Sequence, residues 1–126
     1  MRLLLDTHAF VWSLLDRSRL STRALEAISD AGNVARISAA TAYEIELKRT
    51  RDAELQLIPY DLDSGARAMG FTWLDISWGD ARDAARLPLR HRDPWDRLLV
   101  AQARRIGATL VTRDPAIIHY GVPTLW

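Results

Sequence analysis

The chain contains no cysteine, so its 126 residues have neither a disulfide nor a thiolate metal ligand available. It has a single lysine, Lys48, and three scattered histidines without ligand spacing, which argues against a zinc site. No apolar run approaches the length of a bilayer span. Leu3, Leu4 and Leu5 stop at Asp6, well short of the apolar core of a secretory signal. These absences predict a soluble, cytoplasmic protein in a reducing compartment. The length predicts one domain, 1–126, around one core.

What the chain does have is arginine. The net charge of +1 hides a mixed surface in which arginine supplies nearly all of the positive charge. Its planar, permanently charged fork suits phosphate, so the bias is compatible with a nucleic-acid partner, although GC-rich coding produces the same bias.

The patterning alternates strand and helix. Met1 to Leu5 is a short apolar run without polar alternation and predicts a buried parallel strand with Asp6 at its carboxyl end, where open α/β sheets bind ligands. The spacing predicts helices from His8 to Asp16, after Ser21, from Ala39 to Arg51, from Leu62 to Met69, from Ser77 to Arg86, and from Asp93 to Ile106. Strands are expected at Val34–Ile37, Phe71–Ile76 and Ala108–Val111, with a possible edge strand at Val122–Leu125 limited by Pro123. Strands alternating with helices predict an α/β/α three-layer domain around a mainly parallel sheet of four or five strands.

Acidic residues recur where strands end or helices begin: Asp6, Glu44, Asp93 with Asp96, and Asp114. Each has an ordinary structural role open to it. Asp6, Asp93 and Asp114 can cap helices, and Glu44 can pair with Lys48 one turn on. On its helix Glu44, unlike Glu46, is expected to face the sheet, in line with Ser38 and Thr41. If these carboxylates converge, two of them about 4 Å apart repel by roughly 4 kcal/mol at an effective dielectric near 20. Either protons or a cation must then relieve them. Oxygen donors without clustered histidine or cysteine point to Mg²⁺ or Mn²⁺.

Four blocks in order, Leu4-Leu5-Asp6-Thr7-His8, the run from Ile37 to Ile45, the run from His91 to Ala103 with Asp93-Pro94-Trp95-Asp96-Arg97, and Leu110-Val111-Thr112-Arg113-Asp114, resemble the PIN-domain ribonucleases, specifically the VapC-type toxins of type II toxin-antitoxin pairs. The resemblance implies a Mg²⁺- or Mn²⁺-dependent endoribonuclease that hydrolyses RNA phosphodiesters, forms a homodimer or a larger toxin-antitoxin assembly, and is neutralised by a cognate antitoxin. By position, Asp6, Glu44, Asp96 and Asp114 match the four acidic residues, Asp93 an additional acid, and Thr112 the hydroxyl residue before the last Asp, with Ser38 in support. The resemblance implies that Asp6 and Asp96 hold the metal directly and that Glu44 and Asp114 act through water. Tyr43 stands where the subgroup more often has Trp, and residues 49–57 are less typical of it.

Arg92, Arg97 and Arg113 lie beside the acidic positions and are candidates for gripping RNA phosphates, with Arg90 and His91 next. Trp95 is either a packing residue or a platform for a base. Two other classes compare less well. A phosphoryl-transfer enzyme of the haloacid-dehalogenase type requires a second Asp two residues after the first, where this chain has His8. A PIN-like module that binds RNA or a partner without cutting it has no need of all four acidic positions, and here all are filled.

Overall fold

The structure, a computed structural model, describes residues 1–88 and 92–126. Five strands, β1 (Arg2–Leu5), β2 (Val34–Ser38), β3 (Thr72–Leu74), β4 (Thr109–Val111) and β5 (Thr124–Leu125), form one sheet. Their order is β3-β2-β1-β4-β5, and every pairing is parallel. The central strand explains why its sequence is apolar without alternation. Leu3 and Leu5 join one core with Phe10, Ile37 and Val111, while Leu4 joins a second core on the opposite face with Leu99 and Leu110. Both faces are covered, and each buried leucine contributes about 1.5–3 kcal/mol.

Helices α1 (Thr7–Leu15), α2 (Thr22–Ser29), α3 (Ala39–Lys48) and α4 (Leu62–Ala68) supply Phe10, Ile28, Ile45 and Leu62 to the first core. From α6 (Pro94–Ile106) and α7 (Pro115–Ile118), Leu99, Val100 and Ile117 build the second, and α5 (Trp78–Arg86) packs beside α6. The result is the three-layer α/β/α arrangement expected from the alternation, with all five strands parallel.

Local chemistry sets where these elements start and stop. Ser77 and Asp80 make a reciprocal capping box at the head of α5. At the other end of α6, Gly107 takes a left-handed conformation, φ 64°, that an L side chain rarely adopts. Some boundaries differ from the sequence expectation. α3 ends at Lys48 rather than Arg51, because the Arg49 guanidinium turns back onto the carbonyls of Pro59 and Tyr60 and Asp52 caps the following turn. β3 is only three residues long, since only Thr72, Trp73 and Leu74 find partners on β2. Two short 3-10 turns, Arg17–Arg19 and Leu55–Leu57, were not expected from the spacing. Among the described residues no helix is long and apolar enough to cross a membrane.

Candidate active site

Strand order runs outward from β1 in both directions, so the chain reverses its sense between β1 and β4. At such a switch point the connections leave to opposite faces and open a crevice beyond the carboxyl ends of the two strands. Asp6 follows β1 and Thr112 follows β4, and the Asp6 backbone N–H donates to the Val111 carbonyl at 3.1 Å, locking the two strand ends in register.

Asp6 is a buried carboxylate with both oxygens engaged. Oδ1 accepts from the Ala9 backbone N–H at 2.8 Å, capping α1, and Oδ2 accepts from the Thr112 hydroxyl at 2.6 Å. Burial pushes its pKa above the usual carboxylate value, and the Asp114 charge adds to that push. The Thr112 hydroxyl, the Ala9 N–H and His8 pull the other way. The Thr112 oxygen also accepts from the Asp114 N–H at 3.1 Å, so one hydroxyl bridges the first and last acidic positions. Asp114 in turn caps α7 through Ala116 N–H.

Glu44 arrives from the second turn of α3 and is buried, as its helical phase predicts. Its Oε1 accepts from the Thr7 hydroxyl, which also lies 3.5 Å from Thr41 Oγ1, and its Oε2 meets Lys48 Nζ at 2.6 Å. Ser38 is fully buried at the head of α3. It caps Ala40 N–H and donates to Gln102 Oε1 of α6 at 2.6 Å, tying the helix that carries Glu44 to the helix that carries Asp96. Asp93 caps α6 by accepting from Trp95 and Asp96 N–H groups at 2.9 and 3.2 Å, which leaves Asp96 in the first helical turn.

Asp6, Glu44, Asp93, Asp96 and Asp114 all line one cleft of about 250 Å³. Among the lining residues outside the predicted site are Thr7 and three with acidic or imidazole side chains, His8, Asp52 and Glu54. His8 is exposed at the rim of the cleft and packs on Trp12 with ring centroids 5.3 Å apart. Asp52 and Glu54 belong to the atypical 49–57 stretch, where two arginines offset their charge and left no net acidic signal. A wider groove of about 660 Å³, lined by Ala42, Tyr60, Leu62 and Trp73 among others, shares no residue with the cleft and holds none of the anticipated site residues.

The donor set fits a hard divalent cation in kind, because carboxylates and a hydroxyl from five chain segments face one cleft without sulfur. It is not a preassembled cage: among the described residues no three acidic or histidine side chains stand close enough to hold one ion together.

The arginines divide. Arg113 is exposed and lies over the rings of Trp12 and Trp126, 4.7 and 5.9 Å from their centroids, in a hollow that also reaches Asp6 and Asp114. Arg92 is exposed but lines a groove between α5 and α6 that contains none of the acidic positions. Arg97 corrects the sequence expectation of an RNA contact. It is buried, and its guanidinium donates to the carbonyls of Ala85, Leu87 and Pro88 and to the Tyr120 hydroxyl, so it clamps the chain leaving α5 onto α6 and the segment after α7. Arg90 and His91 lie outside the described residues. Trp95 packs on Tyr43, ring centroids 6.3 Å apart, with Lys48 Nζ 5.0 Å above its ring.

The family model for the PIN domain matches residues 3–123. The chain belongs to the PIN domain family. Its fold is similar to that of VapBC2 from Rickettsia felis, crystallised with a DNA fragment from the promoter, with a TM-score of 0.69 and 17% identity over 100% of this chain and 98% of the other. FitAcB from Neisseria gonorrhoeae compares at TM-score 0.68 and 18% identity over 98% and 96% of the two chains. DNA-bound VapBC from Salmonella typhimurium compares at 0.66 and 15% over 99% and 97%. At these identities the likeness establishes the fold. No curated protein matches the chain.

Proposed function

We infer that this protein is a Mg²⁺- or Mn²⁺-dependent endoribonuclease of the VapC type, the toxin of a type II toxin-antitoxin pair. The observation that carries the reading is the convergence of Asp6, Glu44, Asp93, Asp96 and Asp114 on one cleft at the switch point of a PIN-family sheet. Structures named for VapBC and FitAcB share the fold, which supports an antitoxin partner. A homodimer and a larger toxin-antitoxin assembly belong to the same reading, as does action in the cytoplasm.

In this account Asp6 and Asp96 would hold the divalent ion, with Glu44 and Asp114 acting through water and Asp93 as an additional acid beside them. When bound, the ion supplies charge neutralisation at the scissile phosphate and acidifies water for in-line attack. The chain's own part is to keep its carboxylates aimed. Thr112 holds Asp6 Oδ2, Thr7 holds Glu44 Oε1, and Ser38 fixes the head of α3 against α6. Glu44 and Asp114 would orient the attacking water and take up its proton, and Arg113, exposed in the adjoining hollow, would meet the RNA backbone.

The test is cleavage of a labelled RNA by wild type and Asp6→Asn, with Mg²⁺, with Mn²⁺ and with chelator. Wild type is expected to cut only with metal, and the variant to fold and not cut. Activity that survives chelation or the substitution would falsify the reading, and RNA retention without product would identify a binding module instead.

A further inference from the structure

Lys48 is the chain's only lysine, and it stands at the acidic cleft. The lining of that cleft includes seven carboxylates, Asp6, Glu44, Asp52, Glu54, Asp93, Asp96 and Asp114, and among the described lining residues Lys48 is the only lysine or arginine. Its ammonium lies 2.6 Å from Glu44 Oε2. The hydrogen bond to Glu44 raises the lysine's affinity for its proton above the ordinary value, and the charges of Asp93 and Asp96 act in the same direction. The ammonium also sits over the Trp95 ring, 5.0 Å from the centroid. Glu44 is the buried partner and Lys48 the exposed one, with side-chain exposures of 10% and 41%, so the lysine can leave while the carboxylate stays.

We propose that Lys48 is a resident counter-cation: it neutralises Glu44 and its acidic neighbours in the metal-free protein and swings off both Glu44 and the Trp95 face when a divalent cation enters. The inference rests on the metal-dependent reading of the cleft. Two cations have no reason to share Glu44. A divalent ion held near Glu44 through water and an ammonium on Glu44 Oε2 repel each other at close range and draw on the same negative charge.

The residue type fits the task. The other sixteen basic residues, the 17 lysines and arginines less this one, are arginines, whose planar fork can bind a carboxylate with two parallel bonds. Lysine brings a point charge on a four-carbon stem, a cation that is easily withdrawn.

Because Lys48 is unique, protein grown with ¹³C-lysine gives one side-chain ε-CH₂ correlation. In the metal-free protein that signal is expected to be displaced upfield by the Trp95 ring, and titration with Mg²⁺ is expected to return it to the position of free lysine. In parallel, Mn²⁺ affinity is measured by the electron-spin signal of the free ion. Lys48→Met is expected to bind Mn²⁺ about fivefold more tightly than wild type, the order expected from losing one partly exposed ion pair. Lys48→Arg is expected to bind it more weakly. A lysine signal that keeps its ring-shifted position at saturating Mg²⁺, or Lys48→Met affinity equal to or below wild type, overturns the proposal. Failure of the wild type and all variants to bind either ion overturns the metal-dependent reading itself, and this inference with it.

Discussion

The Thr112 hydroxyl donates to Asp6 Oδ2 at 2.6 Å, joining positions 106 residues apart across the β1/β4 crevice. Asp6 is buried, and burial alone would favour its neutral form. The hydroxyl is the largest influence opposing that, and it also receives the Asp114 N–H. A residue that touches neither RNA nor metal in this account thus favours the charged form of the first acidic position against the effect of burial.

Thr112→Val removes that hydrogen bond while keeping the shape. A hydrogen bond to a charged group contributes about 1.5–3 kcal/mol, so cleavage is expected to slow by about 10- to 100-fold. Thr112→Ser is expected to stay near wild type. Single-turnover rates at saturating metal check both, and equal rates for Val and Ser would remove the hydroxyl from the account.

Asp6 also predicts a pH dependence of stability. Its folded pKa lies above the unfolded value, so between the two the native state binds more protons than the unfolded chain. The contribution of Asp6 to stability is therefore most favourable below the unfolded pKa, about 3.9, and is lost as pH rises through the folded one. Asp6→Asn has no such loss and can still cap Ala9. In chelator, the variant is expected to gain stability relative to wild type as pH rises from about 3 to 7. Urea unfolding across that range measures it, and a difference that is flat or shrinks with pH would contradict the assignment.

Arg97 and Arg113 are expected to separate cleanly. Arg97→Ala removes the guanidinium's hydrogen bonds to Ala85, Leu87, Pro88 and Tyr120, leaving the Pro88 carbonyl its bond from the Tyr120 hydroxyl, and should cost about 2–4 kcal/mol of stability. Arg113→Ala forfeits only contacts with Trp12 and Trp126, about 0.5–1 kcal/mol each, but should weaken RNA binding and lower its salt slope by about 0.7. Thermal melts and RNA titrations at several salt concentrations test the pair. An unchanged salt slope in Arg113→Ala would place the RNA path elsewhere.

The buried Ser38–Gln102 bond makes a further prediction. Ser38→Ala removes a helix cap and leaves Gln102 Oε1 without its donor, for an expected loss of about 1–3 kcal/mol. Gln102→Leu should couple to it. A double-mutant cycle showing additive effects would separate the two residues and with them α3 from α6.

Much of this was readable from residue order. The unbroken apolar run at Leu3–Leu5, the caps at Ser21, Ser77 and Asp93 and the glycine at Gly107 are local signals, and each marks the boundary of an element observed in the fold. Strand order was not readable, because it depends on which crossover lands on which edge. Arg97 was misjudged for a helical reason: consecutive helix residues point about 100° apart, so proximity to Asp96 in sequence carried Arg97 away from the cleft and into the core. Arg92 likewise lies beside Asp93 in sequence but lines a different groove. Lys48 was legible as a partner one turn from Glu44, yet only the fold puts Asp93 and Asp96 of α6 within its electrostatic reach.

The most direct measurement is an anomalous-difference map from crystals of the wild-type protein soaked in Mn²⁺. The account predicts a peak in the switch-point cleft against Asp6 and Asp96, absent in Asp6→Asn crystals soaked the same way. No peak there at saturating Mn²⁺, or one that persists in the variant, would contradict it.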